Sequence, residues 1–194
     1  SFYRRWTALL ERLESASRPL RILLVGGGAG SAELAFAVNH RLGGGASVQL
    51  VCTRELLPGY NTSVRKTVRR ALAGAGITLH EHSRVQTVQA GSVDTGAAAP
   101  LEYDELLWCT GVAPAGWLQA TGFPLNEAGF LLVDDTLQVQ GHPGVFAAGD
   151  VAVQRKHPRP RAGVFAVRQA PVLAHNLAAA VAGLAGWNPH VVTV

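Results

Sequence analysis

The sequence predicts an α/β fold built on a parallel β-α-β unit, and three observations predict it. An apolar run, "RILLV" at 21–25, opens directly onto a glycine cluster, "GGGAG" at 26–30. Apolar residues then recur at helical spacing over 30–42, with Leu34, Ala35, Val38 and Leu42 on one side. A second β-prone run, "SVQLVCT" at 47–53, arrives after another glycine cluster at 43–45. A strand–helix–strand of this length implies a crossover, hence parallel pairing with a right-handed connection.

The remaining elements follow in order. Phe2, Trp6, Leu9, Leu10 and Leu13, separated by Arg4, Arg5, Glu11 and Arg12, form an amphipathic helix over 1–15 that "SASRP" closes. Val64, Val68, Ala71 and Leu72 predict one face of a further helix, ended by Gly74 and Gly76, and "ITLHEH" predicts a third strand. Short β-prone pieces broken by Gly, Asp and Pro from Arg84 onward suggest a small β-meander before the apolar run "ELLWCTG" at 105–111. On this reading Cys52 and Cys109 are both strand residues. From 112 the texture turns irregular, with one expected strand pair. An apolar strand then stops at Gly149, and "VFAVRQAPVLAHNLAAAVAG" at 164–183 reads as a long Ala-rich helix. The expected organisation is a helix at 1–15, a compact domain at 16–111 and a second region at 112–194.

Composition narrows the function classes. With 48% hydrophobic and 15% charged residues the chain is globular in type, not disordered. No apolar run reaches the ~18 residues of a bilayer span, so no transmembrane segment is expected, and no apolar stretch of signal-peptide type follows the N-terminal arginines. With no methionine in the chain, Ser1 is not a native initiator, and the expectation is a piece of a longer polypeptide. Two cysteines, far apart and inside apolar runs, suit buried thiols in a reducing compartment, so a cytoplasmic location is expected. A net charge of +4 is mild and points to no nucleic acid. Its densest part, Arg65, Lys66, Arg69 and Arg70, reads as a solvated helix face in preference to a phosphate site.

The chemistry sits in two places. Gly26 and Gly28, with Gly27 between them, occupy the first two glycine positions of G-x-G-x-x-G, and Ser31 takes the third. The first glycine permits the tight strand-to-helix turn, and the second lets backbone approach a pyrophosphate at the helix N-terminus. Strand, turn, helix and second strand all stand where a Rossmann-like dinucleotide site needs them. Where an acidic residue for the ribose 2′-hydroxyl is expected, the chain has Cys52, then Thr53 and Arg54. Two readings stay open: Arg54 accepts a 2′-phosphate, or Glu55 or nothing contacts the ribose. The second place is "GVFAAGD", 144–150, where Asp150 at a strand end could accept hydrogen bonds from sugar-chain hydroxyls.

Three segments in fixed order, "GGGAGSAELA", "LLWCTG" and "GVFAAGDVA", resemble the pyridine nucleotide-disulfide oxidoreductases, flavoproteins with two dinucleotide-binding domains. The resemblance runs from about 20 to 183 and implies an NAD(P)H domain followed by the C-terminal part of an FAD-binding domain. It assigns Gly26, Gly28 and Ser31 to NAD(P)H, with Glu33 near the nicotinamide. It assigns Thr110 and Gly111 to the crossover between domains, and Gly149 and Asp150 to FAD. "LLPGYN" and "AGVFAVRQAPVLAHNL" are most similar to the type II NADH dehydrogenase-like branch, which includes modules fused to selenophosphate synthases. In that branch Val167, Arg168 and Gln169 would lie by the flavin, near the second substrate. The implied activity is hydride transfer from NAD(P)H to FAD and on to a second acceptor, with a quinone as a candidate, at the membrane periphery in the parent. The competing reading is a non-catalytic nucleotide-sensing or scaffold module attached to another protein.

Two features depart from the family. Its other glycine motif, which belongs to the FAD domain, is not in this sequence, so the chain alone is expected to bind FAD poorly and to be inactive. Its redox-active cysteine pair is also missing. Partners expected are therefore the dinucleotide, the acceptor, the rest of the FAD domain and, through exposed apolar surface, a second copy. His80 and His82 would share one strand face but lack a third ligand, so surface histidines are expected. "HPRPR" at 157–161 reads as a mobile loop, His175 as a packed or solvated residue, and Trp6, Trp108 and Trp117 as core or interface anchors.

Overall fold

The computed structural model describes residues 2–159, 161–183 and 190–191, apart from the side chain of Phe2. Ser1, Pro160 of the "HPRPR" run, and residues 184–189 and 192–194 of the expected second region lie outside the described residues. The chain divides into two compact units, residues 1–111 and 112–194.

Unit 1 is a parallel sheet with helices on it. Helix α1 (Phe2–Ser15) leads into β1 (Leu20–Val25), α2 (Ala29–Leu42), β2 (Ala46–Val51), α3 (Thr62–Gly74) and β3 (Thr78–His80). Strands β4 (Thr87–Gln89), β5 (Ser92–Asp94) and β6 (Leu101–Glu102) form an antiparallel meander, after which β7 (Glu105–Trp108) returns to the main sheet. The main order is β3-β2-β1-β7, all parallel, with Val25 level with Val51 on one side and with Trp108 on the other. Strand β1 is central and buried on both faces, so its run of Ile22, Leu23 and Leu24 is unbroken apolar and fully buried. One face packs on Ala35, Val38 and Leu42 of α2 and on Leu9 of α1, which joins this core. The other face meets Val93 of the meander.

An ion cluster fixes how β7 enters. Asp104, one residue before it, accepts from both outer nitrogens of Arg18 (2.8 and 2.7 Å) and from the Arg21 amide at 2.7 Å. Arg18 first, then Arg21, hold the Asp104 carboxyl far below the usual carboxylate range. Arg5 of α1 pairs with Glu105, and Arg21 pairs with Glu102. The start of β1, the start of β7 and the outer helix are thereby tied at one end of the sheet.

Unit 2 holds a 3-10 turn at Gly116–Ala120, strand β8 (Leu131–Val133), strand β9 (Ala152–Gln154) and helix α4 (Gly163–Ala182). The core is Leu118, Leu131, Val133, Leu137, Val139 and Ala147.

Several expectations need correction. Cys52 and Cys109 are not strand residues: each lies one position past a strand end, at β2 and β7, although both amides still bond to the neighbouring strand. No strand precedes Asp150. Residues 144–148 find only one bridge, Phe146 to Gln138, and a strand needs a continuous ladder. The strand pair of unit 2 is parallel and draws its second member, β9, from beyond Asp150. On α3 only Leu72 is buried, while Val64 and Ala71 are exposed, because Arg65 and Arg69 turn inward toward Glu55 and Glu81. His80 and His82 do not share a strand face, since β3 ends at His80 and His82 has a left-handed φ of 53°. Trp108 and Trp117 are 56% and 66% exposed, so neither anchors the core of its unit. Helix α4 does reach the length and composition of a bilayer span, although Arg168, Gln169, His175 and Asn176 interrupt it.

Candidate functional site

The cleft of unit 1 lies at the C-terminal ends of β1, β2 and β7. The chain leaves β1 toward β2 on one side, whereas β7 joins β1 on the other, so the crevice opens where the connections part. Such a switch point is where open α/β sheets bind ligands. The cleft has a volume of about 230 Å³ and is lined by Gly26, Gly27, Gly28, Thr53, Arg54, Thr110 and Gly111, together with both cysteines.

Each glycine answers to a different neighbour. Gly26 has φ of +151°, and a Cβ there would overlap the Cys109 carbonyl. At Gly27 a Cβ would stand 2.9 Å from the Cys52 Cβ. At Gly28 it would meet nothing, with φ an ordinary −84°. The first two glycines therefore let the turn pass between its neighbours, and the third leaves the space before α2 open. Ser31 is buried, its hydroxyl donates to the Gly28 carbonyl at 2.7 Å, and its Cβ lies 3.2 Å from where a Gly26 Cβ would be. A small residue is what that spot accommodates. Helix α2 begins without a side-chain cap, which leaves its first amides to face the cleft.

The loop after β2 is braced from behind. Its Leu57 amide donates to the Gly27 carbonyl at 2.7 Å, and its Leu56 amide donates to Glu81 at 2.6 Å. Glu81 also takes both nitrogens of the Arg69 fork, at 2.8 and 2.7 Å, and Arg69 is the main cause holding its carboxyl below the ordinary value. Glu55 pairs with Arg65 at 3.0 Å. Thus two carboxylates near the cleft are engaged by α3, and Arg54 is exposed on the lining without a partner among the described residues. Glu33 stands exposed on α2 and is not among the lining residues.

Burial, then the Glu81 charge, pushes the Cys52 thiol up to about 11, and burial also raises Cys109. Strand β1 lies between the strands that carry them, which places their backbones roughly two strand spacings, ~10 Å, apart. A disulfide needs Cα atoms within ~7 Å, so these thiols are not a redox pair.

In unit 2, Gly149 has φ of +70° and starts a 3-10 turn, Gly149–Val151, that presents Asp150 to solvent. The turn is held by Gln169, 7% exposed, whose Oε1 accepts from the Gly149 amide at 2.7 Å. Arg168 and Val167 beside it are exposed. The turn borders a second cleft of about 220 Å³, which also takes in Gln154, Arg159 and Arg161. Two buried residues were not singled out from the sequence. Asn176 bonds the Thr136 and His190 carbonyls and the His190 amide, and exposed His175 stacks on His190 at 3.6 Å. Gln154 is 5% exposed yet unbonded at its amide. The only signal for Asn176 was a polar residue within an apolar stretch, and Gln154, followed by Arg155 and Lys156, carried none. Among the described residues no group of three metal-ligating side chains occurs.

Comparison with known proteins fits this geometry. Residues 3–172 match the family described as pyridine nucleotide-disulphide oxidoreductase. Demethylphylloquinone reductase NdbB of Synechocystis is 29% identical over 154 residues, 75% of this chain and 37% of that protein. Ferroptosis suppressor protein 1 of Xenopus tropicalis is 30% identical over 145 residues, 68% of this chain and 38% of that protein. The chain thus spans well under half of the relatives it matches. Among solved structures, the water-forming NADH oxidase of Lactobacillus brevis, bound to NADH, superposes with a TM-score of 0.68 at 25% identity, over 88% of this chain and 39% of that one. The ferredoxin reductase of Rhodopseudomonas palustris gives 0.73 at 20% identity, over 96% and 45%, and shares the fold.

Proposed function

Because the chain belongs to the pyridine nucleotide-disulphide oxidoreductase family, we propose that unit 1 is the NAD(P)H domain, and unit 2 the closing part of the FAD domain, of a flavin-dependent oxidoreductase. The observation that carries the reading is the glycine turn at the switch point. Gly26 and Gly27 are forced by protein neighbours, but a Cβ at Gly28 would meet no atom of the described residues within 4 Å, and Gly28 is itself the uncapped start of α2. That arrangement cradles a pyrophosphate.

Arg54 favours NADPH over NADH. Cys52 replaces the carboxylate that would repel a 2′-phosphate, Glu55 and Glu81 are held by Arg65 and Arg69, and Arg54 is left to pair with it.

The residues of unit 2 fit one end of FAD. The exposed Asp150 carboxylate has no cation partner among the described residues, and the Gln169 bond fixes the turn that carries it. Asp150 would accept hydrogen bonds from the sugar-chain hydroxyls, and Gln169 would keep it in place. When bound, FAD supplies the redox chemistry: it accepts hydride and passes electrons on. Unit 1 contributes binding and orientation of the nucleotide, and neither thiol takes part. The second acceptor is a quinone, a reading supported by the kinship to demethylphylloquinone reductase. The exposed Val164, Val167, Leu177 and Val181 of α4 are the face that the rest of the flavin domain, or a second copy, would cover. The relatives include a reductase, a probable NADH dehydrogenase and an NADH oxidase, and no observation favours a non-catalytic scaffold.

Calorimetric titration of this chain with NADPH, NADH and FAD tests the reading. NADPH should bind saturably, NADH about tenfold more weakly, and FAD not measurably. Arg54→Ala should remove the NADPH advantage, a change of about 1.4 kcal/mol, and leave NADH untouched. Absence of binding by either nicotinamide nucleotide would reduce the glycine cluster to a turn.

A further inference from the structure

The cleft of unit 2 holds more polar capacity than its turn uses. Its lining contains seven polar side chains; Asp150 and His157 are exposed, and three of the other five are spoken for. Asn126 Oδ1 accepts from the Ala128 and Phe130 amides at 3.1 and 2.9 Å. Gln169 is occupied by Gly149. Arg161 donates to the Asp150 carbonyl at 3.2 Å and lies over the Phe130 ring at 3.4 Å. Two are not. Gln154, 5% exposed, has neither its Nε2 nor its Oε1 bonded. Arg159 has Nε and Nη2 buried and unbonded, and these two atoms form the side edge of its guanidinium. The start of α4 lies in the same lining, through Ala162 and Phe165, without a side-chain cap or an acidic residue in its first turn.

Leaving such groups unpaired in the interior is unfavourable, and more so when the group is charged. Something of matching chemistry would recover that cost. The Nε–Nη2 edge of arginine is shaped for two oxygens of one oxyanion, and a helix start adds amide donors and positive potential. The one carboxylate of the lining, Asp150, is exposed.

We infer that Arg159, Gln154 and the first turn of α4 form a built site for a phosphate or carboxylate group. The oxyanion takes both hydrogens of the Arg159 edge and one from Gln154 Nε2, while Gln154 Oε1 accepts from a donor on whatever carries the anion. The site requires nothing of the nicotinamide reading, because it lies wholly in unit 2. Two sources share this chemistry: the phosphate of a flavin nucleotide, or a separate small anion such as an acidic acceptor.

The test uses the 15N-labelled chain titrated with inorganic phosphate, following the Arg159 Nε and Gln154 side-chain amide resonances. Both should move together and saturate. Arg159→Lys keeps the charge but not the fork and should weaken the isotherm about tenfold. Gln154→Leu should weaken it several-fold, with an unchanged backbone spectrum marking an intact fold. Riboflavin and FMN then separate the sources. Displacement of phosphate by FMN but not riboflavin assigns the anion to a flavin nucleotide, and FMN no better than phosphate assigns it to a separate anion. If neither resonance moves, or Arg159→Lys binds as well as the parent, or riboflavin shifts both resonances as FMN does, the inference is overturned.

Discussion

At position 28 a Cβ would enter the open cleft, whereas at position 26 it would strike the Cys109 carbonyl with φ of +151°. The two glycines lie two residues apart in one motif but serve different ends, and substitution should separate them. Gly28→Ala should change stability by less than about 1 kcal/mol, since its φ of −84° suits alanine, yet lower NADPH affinity about tenfold or more. Gly26→Ala should destabilise unit 1 by about 2 kcal/mol or more, because backbone must shift and the φ is strained. Urea unfolding beside nucleotide titration checks both. A G28A variant that unfolds early, or a G26A variant that melts like the parent, contradicts the division. At this scale the sequence spoke clearly where a motif fixes spacing: Gly26, Gly27 and Gly28 line one cleft, and buried Ser31 bonds the Gly28 carbonyl. It left Arg54 open between two readings, because the freedom of its side chain depends on Arg65 and Arg69 capturing the neighbouring carboxylates from another element.

Between elements, the strongest electrostatic tie is Asp104, which joins the start of β1 to the start of β7 through Arg18 and Arg21. Its folded pKa lies below the unfolded value of about 3.9, so folded unit 1 binds fewer protons than the unfolded chain in acid. The stability it gives is full above about pH 5 and drains as pH falls below about 4. Asp104→Asn should cost about 1–3 kcal/mol at pH 7 and flatten the acid limb of a stability–pH curve. An unchanged acid limb would remove Asp104 from this role. Elements with local periodicity were legible: α1, β1, α2 and the meander appear as read, while β2 ends at Val51, two residues short of the expected strand. The errors lie where partners decide. Residues 144–148 have strand composition but only one bridge, and Val64 and Ala71 lost the inner face of α3 to two arginines whose carboxylates lie elsewhere in the chain. Local pattern cannot encode a partner that comes from a distant segment.

For the whole molecule, division at Gly111 makes a direct prediction. Residues 110–113 and 115 are exposed and carry no helix or strand, so elastase should cut after Val112 in the folded chain, Pro114 protecting the bond after Ala113. The 1–112 product should retain the full NADPH affinity of the intact chain, and loss of that affinity would show that unit 2 supports the cleft. The crossing of Gly26 beneath the Cys109 carbonyl also bears on synthesis. In the proposed nucleotide cleft, Gly26 is translated 83 residues before Cys109. Until β7 has left the ribosome and slid in beside β1, no nascent chain can offer NADPH a finished berth. Ligand capture during translation would therefore begin only after Cys109 emerges, and stalled chains of increasing length would reveal that threshold as a step.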